Sequence, residues 1–390
     1  MITASRGALA ALTAAALALL PAAPAHADGI RAQQWGVAAV NAERAWQTTR
    51  GAGVTVAVLD TGVDETHPDL DGNVLPGKDL IGFGAERGDR AWARHGTSIA
   101  GIIAGHGHGP GRGDGIIGVA PEARILPVRV ILEGEDKARA RARHTRGSAL
   151  ADGIRWAADQ GADVINLSLG DDSESAHAEA AEDAAVQYAL SKGAVVVASA
   201  GNSGEKGDRI SYPAAYPGVI AVTAVDRFGV HASFSTSRWY ATVSAPGKDV
   251  VTADPDRKYY SAWGTSAASA FVSGAVALLR SAHPDLSPAQ VKRLLTDTAR
   301  DRPEGGRSDD LGYGTVDPAA AIEAAEELSP HDPTKTTAGY TGSYFGPGPQ
   351  PEPEPEEKPV GLLVPAVGAA GVLLAGASAV LWRGARRRTS

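Results

Sequence analysis

Cysteine is absent from the 390-residue chain. That excludes disulfides and leaves any folded part to be held by burial alone, which about 300 residues suffice to do in one large domain. A surplus of positive charge is missing as well. Lys and Arg number 37 against 45 Asp and Glu, for a formal charge of −8, and four of the arginines fall in the last eight residues. The rest of the chain is therefore more acidic still, and composition gives no support to nucleic-acid binding. Carboxylates are scarce in the Gly-rich stretch before Gly118-Val119-Ala120-Pro121, which weakens any metal reading there. His106 and His108, spaced i, i+2 in that stretch, lack a carboxylate cluster beyond Asp114 and read as a flexible loop.

The two ends of the chain suggest an address. Residues 1–27 place Arg6 ahead of an Ala/Leu run at 8–20 and close on Ala25-His26-Ala27, the small-x-small form cut by signal peptidase. The mature chain is expected to begin near Asp28. Residues 360–382 carry no charge over 23 positions, long enough to cross a bilayer with some tilt. Glu352, Glu354, Glu356 and Glu357 precede this run, and Arg383, Arg386, Arg387 and Arg388 follow it. The charge bias predicts a single-pass cell-membrane protein whose basic tail, 383–390, is cytoplasmic and whose bulk lies outside. Between them, residues 329–359 alternate Pro and Glu around 346–355, the composition of an extended stalk. Gly371 and Ala375 give a small-xxx-small spacing in the membrane run, a pattern that composition alone also produces.

Three short stretches carry chemistry. Asp60-Thr61-Gly62, His95-Gly96-Thr97 and Gly264-Thr265-Ser266 occur in that order, and they supply an acid, a base and a hydroxyl nucleophile. The β-branched run 54–59 reads as a buried parallel strand ending at Asp60, which sets the acid at the strand edge where α/β sheets form sites. His95 and Ser266 each open a helical pattern, at 95–105 and 265–281. Ser266 thus stands at a helix N-terminus, where free N–H groups favour a developing negative charge.

With DTGVD at 60–64, HGTSIAGIIAG at 95–105 and GTSAASAFVSG at 264–274, the chain resembles the subtilases, the subtilisin-like serine proteases of peptidase family S8. The resemblance runs from about Trp35 to Ala325. It implies an Asp60, His95 and Ser266 triad, Asn202 as oxyanion donor, and Ser168, Leu169 and Gly170 as an edge that takes substrate backbone by strand addition. It implies peptide or protein substrates and no cofactor, and it leaves calcium open. Ala270 stands where many members carry Pro; Ala is the better helix former, so activity is not expected to suffer. Phe271 resembles the mycosin branch, associated with type VII secretion. Some mycosins carry disulfides, from which this chain departs.

The expected fold is therefore a three-layer α/β/α subtilisin-like domain, residues 51–328, with a mainly parallel sheet. Apolar runs at 123–130, 163–168, 194–199 and 219–224 alternate with helical patterns near 147–160 and 174–192, and N-cap-plus-Pro starts at Ser287 and Asp317 open two closing helices. The charged stretch 133–146 reads as an exposed inserted loop. Residues 28–50 form an N-terminal extension expected to pack along the domain, since 26 residues before Val54 are too few for an independent inhibitory domain. Two functions follow: a membrane-anchored extracytoplasmic serine endopeptidase, mycosin-like and tied to a type VII secretion complex, or a scaffold of such a complex in which hydrolysis is dispensable.

Overall fold

The computed structural model describes residues 29–328. The expected signal peptide, stalk, membrane run and basic tail lie outside the described residues. Eleven strands are formed there: β1 (Thr55–Asp60), β2 (Lys78–Asp79), β3 (His106–His108), β4 (Asp114–Ile117), β5 (Arg124–Arg129), β6 (Val164–Leu167), β7 (Val195–Ser199), β8 (Ile220–Val225), β9 (Ala241–Pro246), β10 (Val250–Ala253) and β11 (Tyr259–Ala262). Seven of them make one sheet in the order β2-β5-β1-β6-β7-β8-β9, with every neighbouring pair parallel. The other four form two antiparallel pairs, β3 with β4 and β10 with β11.

Parallel strands must be covered on both faces, and the helices do this. They are α1 (Trp35–Ala39), α2 (Ala42–Ala45), α3 (Arg94–Ala104), α4 (Arg139–Thr145), α5 (Ala149–Asp159), α6 (Ala180–Ser191), α7 (Thr265–Ala282), α8 (Pro288–Asp297) and α9 (Pro318–Glu326). Along β1 the faces alternate. Val56 and Val58 join the core beneath α3 and α7, while Leu59 reaches towards Gly153 of α5. The small residues of α7, among them Ala267, Ala268, Ala270, Ala275 and Ala277, are almost wholly buried, which lets this helix lie close against the sheet. Both closing helices start as the sequence suggests. Ser287 and Gln290 form a reciprocal capping box on α8, and the Asp317 carboxylate accepts from Ala320 N at 3.0 Å on α9.

The order of the sheet places the site. The chain leaves β1 for β5 on one side and later returns to β6 on the other, so the C-terminal ends of β1 and β6 flank the crevice where the winding reverses. Residues 29–50 pack along the domain. Gln34 pairs with both backbone groups of Ile117, at 2.9 Å each, and the indoles of Trp35 and Trp46 donate to the carbonyls of Asp249 and Val119. Gly36 lies so close to the Phe271 ring that a Cβ there would overlap it. None of residues 29–50 lines the cleft described below. Among the described residues, no helix is long and apolar enough to cross a membrane.

Two segments differ from expectation. Residues 133–146 are not a loop throughout: Arg139–Thr145 is the helix α4, and its Ala142 is buried. Four charged neighbours hid this element, because only one small apolar residue faces inward and no 3.6-residue apolar stripe exists to be read. The Gly-rich stretch after α3 is the β3–β4 hairpin rather than a free loop. His106 is buried there, with its two ring nitrogens against the carbonyls of Gly107 and Asp71, while His108 Nδ1 lies 2.6 Å from Asp69 Oδ1.

Candidate active site

Asp60 ends β1 with its side chain fully buried. Its Oδ1 accepts from Thr61 N at 2.7 Å, and its two oxygens face His95 Nδ1 at 2.8 and 2.9 Å. A donating Nδ1 fixes the tautomer and leaves Nε2 as the acceptor. His95 is the second residue of α3, and its backbone N donates to Glu133 Oε1 at 2.7 Å. The next residue must be small, because a Cβ on Gly96 would overlap the Gly62 carbonyl. Three residues thus bring the loop after β1 and the start of α3 into direct contact.

Burial disfavours the charged imidazole of His95, but the charge and hydrogen bond of Asp60, with a further contribution from Glu133, outweigh it and raise the pKa to about 9. Arg139 acts in the opposite sense. Glu133→Gln keeps an acceptor for His95 N while removing a charge, so the His95 titration followed by NMR is expected to move to lower pH. An unmoved titration would deny Glu133 that influence.

Ser266 is the second residue of α7. The helix starts from Gly264 at φ 145°, a backbone region that essentially only glycine enters. The Ser266 hydroxyl donates to the Ser168 carbonyl at 3.1 Å, so in this resting arrangement it is turned to the edge of β6. Asn202 follows β7 and is oriented by Thr265, whose N and hydroxyl lie 2.9 and 3.1 Å from Asn202 Oδ1. That leaves Nδ2 as the outward donor. Both Asn202 Nδ2 and Ser266 N lie within 4 Å of the point where a Gly264 Cβ would stand.

His95, Ser266, Asn202 and residues 168–170 line one cleft of about 1060 Å³. Between residues 168–170 and Gly201 lies Ser211, whose buried hydroxyl has no hydrogen-bond partner among the described residues. The cleft also takes in Arg139, Arg143 and Arg146, which sequence reasoning had put on an exposed loop.

A buried polar network ties the nucleophile's helix to the sheet, and sequence reasoning missed it. Asn166 Nδ2 donates to Ser168 Oγ at 2.9 Å, Ser273 Oγ donates to Asn166 Oδ1 at 3.0 Å, and Ser168 Oγ lies 3.0 Å from Ser266 O and 2.9 Å from Ser269 Oγ. The signal was present. Asn166 interrupts an apolar strand, and Ser266, Ser269 and Ser273 recur at i, i+3, i+7 on one face of α7. Asn166→Ala leaves the Ser273 hydroxyl without its acceptor, takes one of three partners from Ser168, and is expected to cost about 1–3 kcal/mol in urea unfolding. An unchanged midpoint would show that the network relaxes freely.

Among the described residues, no group of three His, Asp or Glu is placed to hold a metal ion. What the cleft can do is acyl chemistry: an oriented imidazole, a hydroxyl at a helix N-terminus and two N–H donors converge on it.

Comparison with known proteins identifies the family. The profile of the subtilase family, Peptidase_S8, matches residues 51–314. A thermophilic serine proteinase of Bacillus sp. (strain AK1) is 43% identical over 64% of this chain, which spans only 57% of that relative's length. Subtilisin DY of Bacillus licheniformis is 37% identical over 74% of this chain and 98% of its own. Among solved structures, the MycP3 protease from the type VII (ESX-3) secretion system superposes with a TM-score of 0.63 at 36% identity, over 77% of this chain and 90% of that one. The chain belongs to the subtilase family, peptidase family S8.

Proposed function

We propose that the protein is a serine endopeptidase, anchored in the cell membrane with its catalytic domain outside, that cleaves a restricted set of proteins linked to type VII secretion. The observation that carries the enzymatic part is the convergence of the Asp60–His95 pair, Ser266 and Asn202 on one cleft. Ser266 Oγ turns from the Ser168 carbonyl to His95 Nε2, gives up its proton there and attacks the scissile carbonyl. Ser266 N and Asn202 Nδ2 hold the oxyanion, and Asp60 supports the imidazolium. His95 then passes the proton to the leaving amine. Water repeats the sequence in reverse to release the acyl group from Ser266. Residues 168–170 hold the substrate backbone as an added strand.

The address rests on the two terminal runs, residues 1–27 and 360–382, with the Arg-rich tail. The link to secretion rests on Phe271 and on likeness to a protease whose own description places it in a type VII system.

A fluorophosphonate probe on isolated membranes tests this reading. Wild type is expected to label in the membrane fraction, and Ser266→Ala is expected not to label. No labelling of wild type would sink the enzyme reading, and label confined to the soluble fraction would sink the anchor. If secretion survives Ser266→Ala but not loss of the whole protein, scaffolding outweighs proteolysis.

A further inference from the structure

The cleft carries three arginines from one segment, for a reason the triad does not need, and Asp171, Asp172, Glu179 and Glu182 line it as well. Ala142 is buried and fixes the rotation of α4. Arg139, Arg143 and Arg146 stand at i, i+4 and i+7 and line the cleft together. Arg141, off that face, stacks on the Phe83 ring at 3.9 Å, and Arg146 lies over the same ring at 5.7 Å. Arg139 donates to the Leu132 carbonyl, and Arg146 Nε donates to the Ile81 carbonyl at 3.0 Å. Neither cation is neutralised by a carboxylate in these contacts, and Arg143 has no hydrogen-bonded or ion-paired partner among the described residues. Two carboxylates act on Arg139, and both are engaged elsewhere: Glu133 by the backbone N of His95, and Asp60 by Thr61 N and His95 Nδ1.

Resting on the protease reading, we infer that Arg143, with Arg139 beside it, selects substrates carrying Asp or Glu among the four residues preceding the scissile bond. A chain added to the edge at 168–170 enters the cleft that Arg139 and Arg143 also line. Side chains of an added strand alternate in direction. One enters the recess at Ser211 and Gly201, and its neighbours on the acyl side turn away from that recess, towards the arginines. There a carboxylate meets the Arg143 guanidinium, which offers paired N–H donors and has no ion-paired partner among the described residues. The mutual repulsion of Arg139 and Arg143 adds to the effect of burial in lowering the Arg139 pKa, and a bound carboxylate relieves it.

The test uses the full-length protein in detergent, with active sites counted by the fluorophosphonate probe, and peptide mixtures carrying Glu, Gln or Lys at each of the four upstream positions. Wild type is expected to prefer Glu over Gln by about fivefold in kcat/KM at one of them, as for a partly exposed ion pair, and the preference shrinks as salt rises. Arg143→Gln brings the ratio towards one, and Arg143→Glu reverses it in favour of Lys. Arg293→Gln, which removes the same charge from the exposed Arg293–Asp297 pair on α8, leaves the ratio in place. Equal rates for Glu and Gln at all four positions in labelled wild type would overturn the inference while leaving the protease reading intact. A ratio that survives both Arg143→Gln and Arg139→Gln would overturn it too. Wild type that neither labels nor cleaves would remove both.

Discussion

Asp60→Asn is expected to lower kcat/KM by about 10⁴-fold with the fold intact. The cause lies in two hydrogen bonds. The Asp60 carboxylate accepts from Thr61 N at 2.7 Å and from His95 Nδ1 at 2.8 Å. An amide satisfies Thr61 only with its oxygen, which puts its NH2 in the place of Oδ2, 2.9 Å from Nδ1. The imidazole must then present a bare Nδ1 and carry its proton on Nε2, the atom that has to accept from Ser266. The same change removes the charge that raises the His95 pKa, so the imidazole titration falls as well. Rates per labelled active site against a peptide substrate provide the measurement. A loss of less than tenfold would mean that Asp60 does not set the tautomer.

Asn202→Ala is expected to lower kcat by about a hundred- to a thousandfold with little change in KM, the range for losing one oxyanion donor. Its amide is held by Thr265 from the oxygen side, so the nitrogen is fixed before substrate arrives and needs no reorganisation during reaction. The start of α7 keeps the same space open, since a side chain at 264 would stand 3.7 Å from Ser266 N and 3.9 Å from Asn202 Nδ2. A rise in KM with kcat unaltered would instead make Asn202 a ground-state binding residue.

The parts of this site that were legible in the sequence are those whose local chemistry repeats a pattern. β1 announces itself as an apolar run rich in β-branched residues, and Gly96 and Gly264 mark close backbone approaches whatever fold surrounds them. The closing helices could be placed to within a residue or two because Ser287 and Asp317 are followed by proline. What stayed hidden depends on contacts across the fold. Nothing local connects Glu133 to His95, 38 residues away. The α4 helix is too short and too charged to show a face until Ala142 is seen packed inside. Asn166 is a polar residue in an apolar strand, and its meaning depends on Ser273, 107 residues on. Tertiary pairing, rather than propensity, decides such positions.

The Asp60–His95 contact has one more consequence, for the stability of the chain. The folded state holds the imidazole proton to about pH 9, whereas an unfolded chain releases it near 6.5. By linkage, this proton stabilises the fold fully below about pH 6.5, and the contribution drains away as pH climbs through about 9. Catalysis needs the same imidazole bare. Each step in pH that makes His95 a working base therefore loosens the native state that positions it, and whatever stability the domain keeps above that range comes from its packed core rather than from its active site.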